Sequence, residues 1–173
     1  MGHDKAFVQV NGRPMALRVA DGMGEFCRSV ALVGDPNTYL PLGLPVVADS
    51  FAGEGPLAGI EAALGFSDVD WNLIVACDMP GLNKELIDQL VAAVHEDDGD
   101  CVLPQYEDGK VEPLCALYHR RCHPAILEAL KEGVRKVTDA LQKLPAVRYV
   151  RVPLRSPLPN VNTPEDLLKY TNG

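Results

Sequence analysis

The sequence predicts a doubly wound α/β domain, a mostly parallel sheet flanked by helices, with a mixed sheet in its second half. Three observations carry this expectation. Short apolar, β-branched runs alternate with segments whose apolar residues fall at helical spacing. The run Leu73-Ile74-Val75-Ala76-Cys77 shows no apolar/polar alternation, so it reads as a strand covered on both faces, the habit of parallel sheets. Residues 101–104 and 112–118 read as adjacent strands separated only by a turn at Glu107-Asp108-Gly109, which breaks the alternation.

The elements follow in order. Residues 7–10 form a short extended piece, closed by the turn pair Asn11-Gly12. Pro14 suits the first position of a helix running to Met23, because its missing N–H is no loss there. Residues 29–33 form a strand ended by Gly34-Asp35-Pro36-Asn37, and residues 44–48 form a second, with Asp49 at its end. After Gly53-Glu54-Gly55, Pro56 opens a helix with one apolar stripe, Leu57, Ile60, Ala63 and Leu64. Residues 71–77 are the next strand. Asn83 caps a helix whose stripe is Leu86, Ile87, Leu90, Val91 and Val94. Residues 96–100 are nearly all acidic and read as a solvated loop. Beyond the two adjacent strands, residues 124–131 and 134–144 are helical and 147–152 form a last strand. Thr163-Pro164-Glu165-Asp166 is a capping box that opens a terminal helix. No internal repeat or low-complexity linker interrupts residues 1–173, so one domain is expected.

Composition narrows the function classes. The chain is 47% hydrophobic, which argues against disorder, and it carries a net charge of −8. That charge disfavours long-range attraction to nucleic acid or an anionic membrane. A phosphorylated ligand would need a few local cations, helix amino termini or a metal. No apolar run reaches the ~20 residues of a membrane span. Five cysteines without a Cys-x-x-Cys pair point to a reduced, cytoplasmic protein.

Asp78 directly follows the 71–77 strand, where open α/β sheets hold their ligands. A carboxylate there needs a partner, and a divalent cation would supply one. The alternative is a turn residue, with Pro80 blocking helix after Met79. Cys115, His119, Cys122 and His123 include metal-ligand types. Adjacent Cys122 and His123 would diverge in regular structure, so core and surface roles are preferred to zinc.

Four segments together, in this order and spacing, carry a resemblance: Gly2-His3-Asp4-Lys5, Gly55-Pro56-Leu57-Ala58-Gly59-Ile60, Cys77-Asp78-Met79-Pro80 and Asn160-Val161-Asn162-Thr163-Pro164-Glu165-Asp166. The set resembles the molybdenum cofactor guanylyltransferases over nearly the whole chain. The resemblance implies a single nucleotidyltransferase domain with a Rossmann-like nucleotidyltransferase fold. It implies transfer of GMP from GTP to molybdenum-bound molybdopterin, forming the guanine dinucleotide cofactor and releasing pyrophosphate. Related cytidylyltransferases share much of the pattern, so transfer from CTP is one alternative. A non-catalytic nucleotide-binding relative is another.

The resemblance also assigns roles. Lys5 and Asp78 are the catalytic pair: Lys5 contacts the nucleotide phosphates, and Asp78 holds Mg2+ beside them. Asn162 is a candidate second metal ligand, and Asn160 and Asn162 are candidates for molybdopterin binding. Gly55 and Pro56 lie along the nucleotide. Asp49 matches a nucleotide-binding aspartate. Its carboxylate suits the adjacent N1–H and N2–H2 donors of guanine, or else it is a strand-end turn residue. Arg120 and Arg121 could hold a pterin phosphate or be solvated loop charges. The implied partners are the two substrates, with transient contacts to molybdenum insertion proteins or target molybdoenzymes.

The family carries a hydrophobic strand and a Leu-Ala-Gly-Gly loop ahead of the lysine segment. Here Met1 stands where that loop ends. The resemblance therefore implies an amino-terminally incomplete domain, without a central strand and without the loop whose amides wrap phosphate.

Overall fold

The computed structural model describes residues 4–94 and 99–153. A 3-10 turn, Lys5–Phe7, precedes the hairpin β1 (Gln9–Val10) and β2 (Arg13–Pro14). Asn11 and Gly12 make its tip, both with positive φ (48° and 75°), the backbone that tight hairpin turns demand. Helix α1 (Met15–Gly24) follows, one residue later than Pro14 implies. β3 (Leu32–Val33) and β4 (Val46–Val47) pair in parallel, each shorter than the sequence run that contains it. Between them lies a four-residue helix, α2 (Pro36–Tyr39), where the sequence reads as a turn. The Asp35 carboxylate caps it by accepting from the Asn37 amide at 3.0 Å.

Helix α3 (Pro56–Phe66) leads to β5 (Trp71–Val75), and α4 (Lys84–Val94) follows. The Asn83 cap is as expected: its side chain accepts from the Leu86 amide at 2.9 Å. Then come β6 (Cys101–Tyr106), β7 (Cys115–His119), α5 (His123–Lys131), α6 (Val137–Leu141) and β8 (Val147–Val152). These strands form one sheet in the order β5-β7-β6-β8. β5–β7 and β7–β6 are antiparallel and β6–β8 is parallel, the mixed second half the sequence predicts.

The core lies on both faces of this sheet, and strand alternation divides it. Cys101, Leu103, Ala116 and Tyr118 point toward α3, α5 and α6. Val102, Cys115 and Leu117 point toward α4. The fold is thus an α/β layer with helices on both sides.

Two sequence expectations need correction. β5 ends at Val75 and pairs antiparallel with β7, not in parallel; it is covered on both faces, Ile74 packing on the α3 side and Leu73 and Val75 on the α4 side, but its residues are half-buried rather than buried. The cause is its position: among the described residues, its other edge pairs with no strand. Asp100, at the end of the acidic stretch, is not solvated either. Asp100 is only 6% exposed and accepts from Arg121 Nε at 2.7 Å and from the Ala146 amide at 2.9 Å.

The β3–β4 pair and the four-stranded sheet are separate among the described residues, yet α3 packs against β3, β4 and β5 alike. One helix therefore underlies two sheets whose edges share no hydrogen bond. Asn160, Asn162, the Thr163 capping box and the terminal helix lie outside the described residues.

Candidate active site

β5 delivers its chain to a tight turn, closed by the Met79 amide donating to the Ala76 carbonyl at 3.2 Å. Met79 is buried at 1% exposure and anchors the turn in the α4-side core. Asp78, just before it, is left at the carboxyl end of β5. Lys5 Nζ donates to Asp78 Oδ2 at 3.0 Å, joining two residues 73 apart in sequence. Their side chains are 37% and 18% exposed, so the pair is reachable from solvent.

Lys5 is placed by its neighbours. Asp4 caps the 3-10 turn by accepting from the Ala6 amide at 3.0 Å. Ala6 is buried against Ala16, Leu42, Leu32 and Cys77. The Tyr39 hydroxyl donates to the other Asp4 oxygen at 2.8 Å. Burial, then the Asp4 hydrogen bond, push the Tyr39 hydroxyl up to about 12, so it stays a donor. Gly34 makes room for that ring: a Cβ there would lie 2.3 Å from Tyr39 Cε2. The sequence gives no sign of this support, because α2 is too short to show a periodicity.

Cys77 adjoins Asp78 and is held as the neutral thiol. Burial, followed by the charges of Asp78 and Asp4, pushes its thiol up to about 11.

Asp49 closes its own loop, accepting from the Phe51 amide at 2.8 Å, and Phe51 packs on the α3-side core. The strand-end turn role is therefore real, and one carboxylate oxygen is engaged in it. Gly55 sits at the cap of α3 with φ 85°, a conformation that penalises any other residue, and Pro56 opens the helix. An ion pair between Arg135 and Glu54 ties this loop to the segment before α6. The structure thus unites Lys5 with Asp78, and places Asp49 and Gly55-Pro56 at the β4 and α3 ends of one loop.

Two candidates are relocated. Arg120 and Arg121 follow β7 beyond His119, which pairs with Trp71 at the start of β5. They line a shallow cleft of about 410 Å³ with Asp70 and His123. Asp70 to Val75 alone spans about 16 Å at ~3.3 Å per residue, so this cleft is at the far end of β5 from Asp78. Arg121 is committed to Asp100, and His123 Nε2 lies 2.7 Å from Glu61 Oε1. A pterin phosphate bound at Asp78 could not also be held there. Of the four residues of metal-ligand type, Cys115 faces the α4-side core and Cys122 the opposite one, while His119 and His123 line this cleft.

One carboxylate near the Asp78 turn escaped the sequence. Glu112 precedes β7 beside the Asp78 turn. Burial, and then the Asp78 charge, raise its carboxyl above the ordinary range. Only the pairing of β5 with β7 reveals this neighbour.

Comparison with known proteins decides the family. The profile described as the MobA-like NTP transferase domain matches residues 1–146. The chain belongs to the MobA-like NTP transferase family. It is a nucleotidyltransferase, and its family places it in molybdenum cofactor biosynthesis. It is 34% identical over 175 residues to a molybdenum cofactor guanylyltransferase of Desulfosudis oleivorans, covering 97% of this chain and 86% of that protein. A protein of the same name from Vibrio atlanticus is 33% identical, with 98% and 87% covered. The crystal structure of molybdopterin-guanine dinucleotide biosynthesis protein A from Archaeoglobus fulgidus superposes with a TM-score of 0.81 at 25% identity, covering 99% of this chain and 90% of that one. No helix among the described residues of this MobA-like transferase is long and apolar enough to cross a membrane.

Proposed function

We propose that the chain transfers GMP from GTP to molybdenum-bound molybdopterin, releasing pyrophosphate. The observation that carries this reading is the Lys5–Asp78 pair at the carboxyl end of β5, a cation and a carboxylate where α/β sheets bind ligands. The attacking group is a phosphate and already an anion, so no general base is required. Catalysis consists of in-line positioning and charge neutralisation. Lys5 exchanges Asp78 for the nucleotide phosphates and steadies the pyrophosphate side, as a compact ammonium can. Asp78 fits Mg2+, which favours a small number of protein oxygens, and its carboxylate already attracts one cation. When bound, that ion offsets phosphate charge. Asn162 would add a second oxygen, and Asn160 and Asn162 would face molybdopterin. Gly55 and Pro56 would border the nucleotide. The test is pyrophosphate release with molybdenum-bound molybdopterin, GTP and Mg2+; turnover with CTP but not GTP would transfer the reading to the cytidylyl reaction.

Base choice would rest on Asp49. Its Oδ1 serves the turn, and Oδ2 would accept from guanine. Asp49→Ala is expected to weaken GTP about a hundredfold more than CTP, the ~2–3 kcal/mol of lost charge-assisted hydrogen bonds. Equal losses for both nucleotides in competition assays would confine Asp49 to its turn.

Among the described residues one edge of β3 and one edge of β5 pair with no strand, and α3 packs against both strands. An extended version of the chain, with an apolar strand and a Leu-Ala-Gly-Gly loop ahead of residue 1, is expected to bind GTP at least about tenfold more tightly, or ~1.4 kcal/mol. It should also melt at a higher temperature, because paired strand edges replace open ones. Calorimetric titration of both versions with GTP and Mg2+ checks this, and equal affinity would show that phosphate is held without such a loop.

A further inference from the structure

The turn that carries Lys5 is tied to helix α2 through one carboxylate. Asp4 uses both oxygens: Oδ1 accepts from the Ala6 amide at 3.0 Å, and Oδ2 accepts from the Tyr39 hydroxyl at 2.8 Å, across 35 residues of sequence. Lys5 therefore sits between an anchored Asp4 and a buried Ala6. The anchor is itself well seated. Asp35 caps α2 through the Asn37 amide and also accepts from Thr38 Oγ1 at 2.9 Å. Gly34 leaves the space that the Tyr39 ring occupies, and the Phe7 ring stacks on the other aromatic with centroids 6.1 Å apart and planes 15° from parallel. The turn's own backbone bonds, from Phe7 to Asp4 at 3.2 Å and from Val8 to Lys5 at 3.1 Å, are at the long end of the N–H···O range. The Asp4 contacts supply what those bonds lack.

A lysine gives up much rotamer freedom when its ammonium is fixed, and a preset backbone lowers that cost. We infer that Tyr39 is a positioning residue for nucleotidyl transfer: its hydroxyl, through Asp4, holds the Lys5 backbone so that the ammonium reaches Asp78 in the resting chain and phosphate in the substrate complex. Only the side chain then moves between the two. The inference rests on the reading of Lys5 as the cation that contacts the nucleotide phosphates.

Tyr39→Phe keeps the ring beside Gly34 and Phe7 and removes only the hydroxyl. Trace acetylation of the intact chain with acetic anhydride, read by peptide mass spectrometry, follows the Lys5 amine without turnover, with exposed Lys131 and Lys136 as internal references. Tyr39→Phe is expected to raise Lys5 labelling about threefold, the loosening of one partly exposed ion pair, at an unchanged melting temperature. Asp4→Asn, whose amide has one acceptor oxygen in place of two, should act alike. Thr38→Ala removes a hydrogen bond of the same helix that does not touch Asp4, and it should leave Lys5 labelling unchanged. In pyrophosphate-release assays Tyr39→Phe should lower kcat/KM for GTP about tenfold, and it should cost nothing further in a Lys5→Ala background. The inference is overturned if Tyr39→Phe labels like the unmodified chain or keeps its full kcat/KM, if Thr38→Ala labels as fast, or if the loss persists without Lys5. Absent transfer by the unmodified chain, with the expected labelling, would sink the proposed reaction and leave the link from Tyr39 through Asp4 to Lys5 standing.

Discussion

Asp78→Asn is expected to abolish most nucleotidyl transfer, by about a hundredfold or more, while the protein remains folded. The amide keeps the shape of the side chain at the β5 turn. It loses the negative charge that attracts Lys5 at 3.0 Å and that would hold a divalent ion. A bound metal contributes several kcal/mol to the stabilisation of developing charge, and each ~1.4 kcal/mol is tenfold in rate. Stability should change little, because an ion pair with side chains 37% and 18% exposed contributes at most ~1 kcal/mol. Rate against Mg2+ concentration, together with a thermal melt, separates the two effects. Near-normal turnover with an unchanged magnesium requirement would remove Asp78 from the metal site.

The largest stability effect is expected at the other end of the sheet. Asp100→Ala should cost about 3 kcal/mol and lower the melting temperature by roughly 6–12 °C. Asp100 is 6% exposed and its two oxygens serve different partners, Arg121 Nε at 2.7 Å and the Ala146 amide at 2.9 Å. Removing it leaves a half-buried amide without this acceptor and a guanidinium without this counter-charge. It also loosens the start of β6, which lies between β7 and β8. Asp88→Ala is the comparison: its pair with Lys84 is exposed on both sides and should change stability by less than ~0.5 kcal/mol. Equal melting temperatures for the two variants would mean that the Asp100 network contributes nothing beyond a surface pair.

Much of the architecture was legible because it is written in local chemistry. Asn83 before an apolar stripe announces α4, Pro56 announces the start of α3, and residues 147–152 coincide with β8. These signals act within a few residues, where backbone geometry and side-chain spacing decide. The direction of β5 was not legible. An unbroken apolar run is the same whether its neighbour is parallel or antiparallel, and β7, its partner, starts 40 residues later. Asp100 was misread for a related reason. It ends an acidic stretch, and only the docking of Arg121 and Ala146 makes it a buried link.

The sequence by itself determined the fold class, the family and the identities of Lys5 and Asp78 as a candidate pair, since each rests on residue type and order. The tertiary structure alone decided that the two meet, and that Asp4 and Tyr39 hold Lys5 in place. It also moved Arg120 and Arg121 to the opposite end of β5. The physical reason is one of range. Caps, turns and stripes are settled by neighbours in the chain. Which charges face each other depends on strand register, and register is fixed only when distant segments pair.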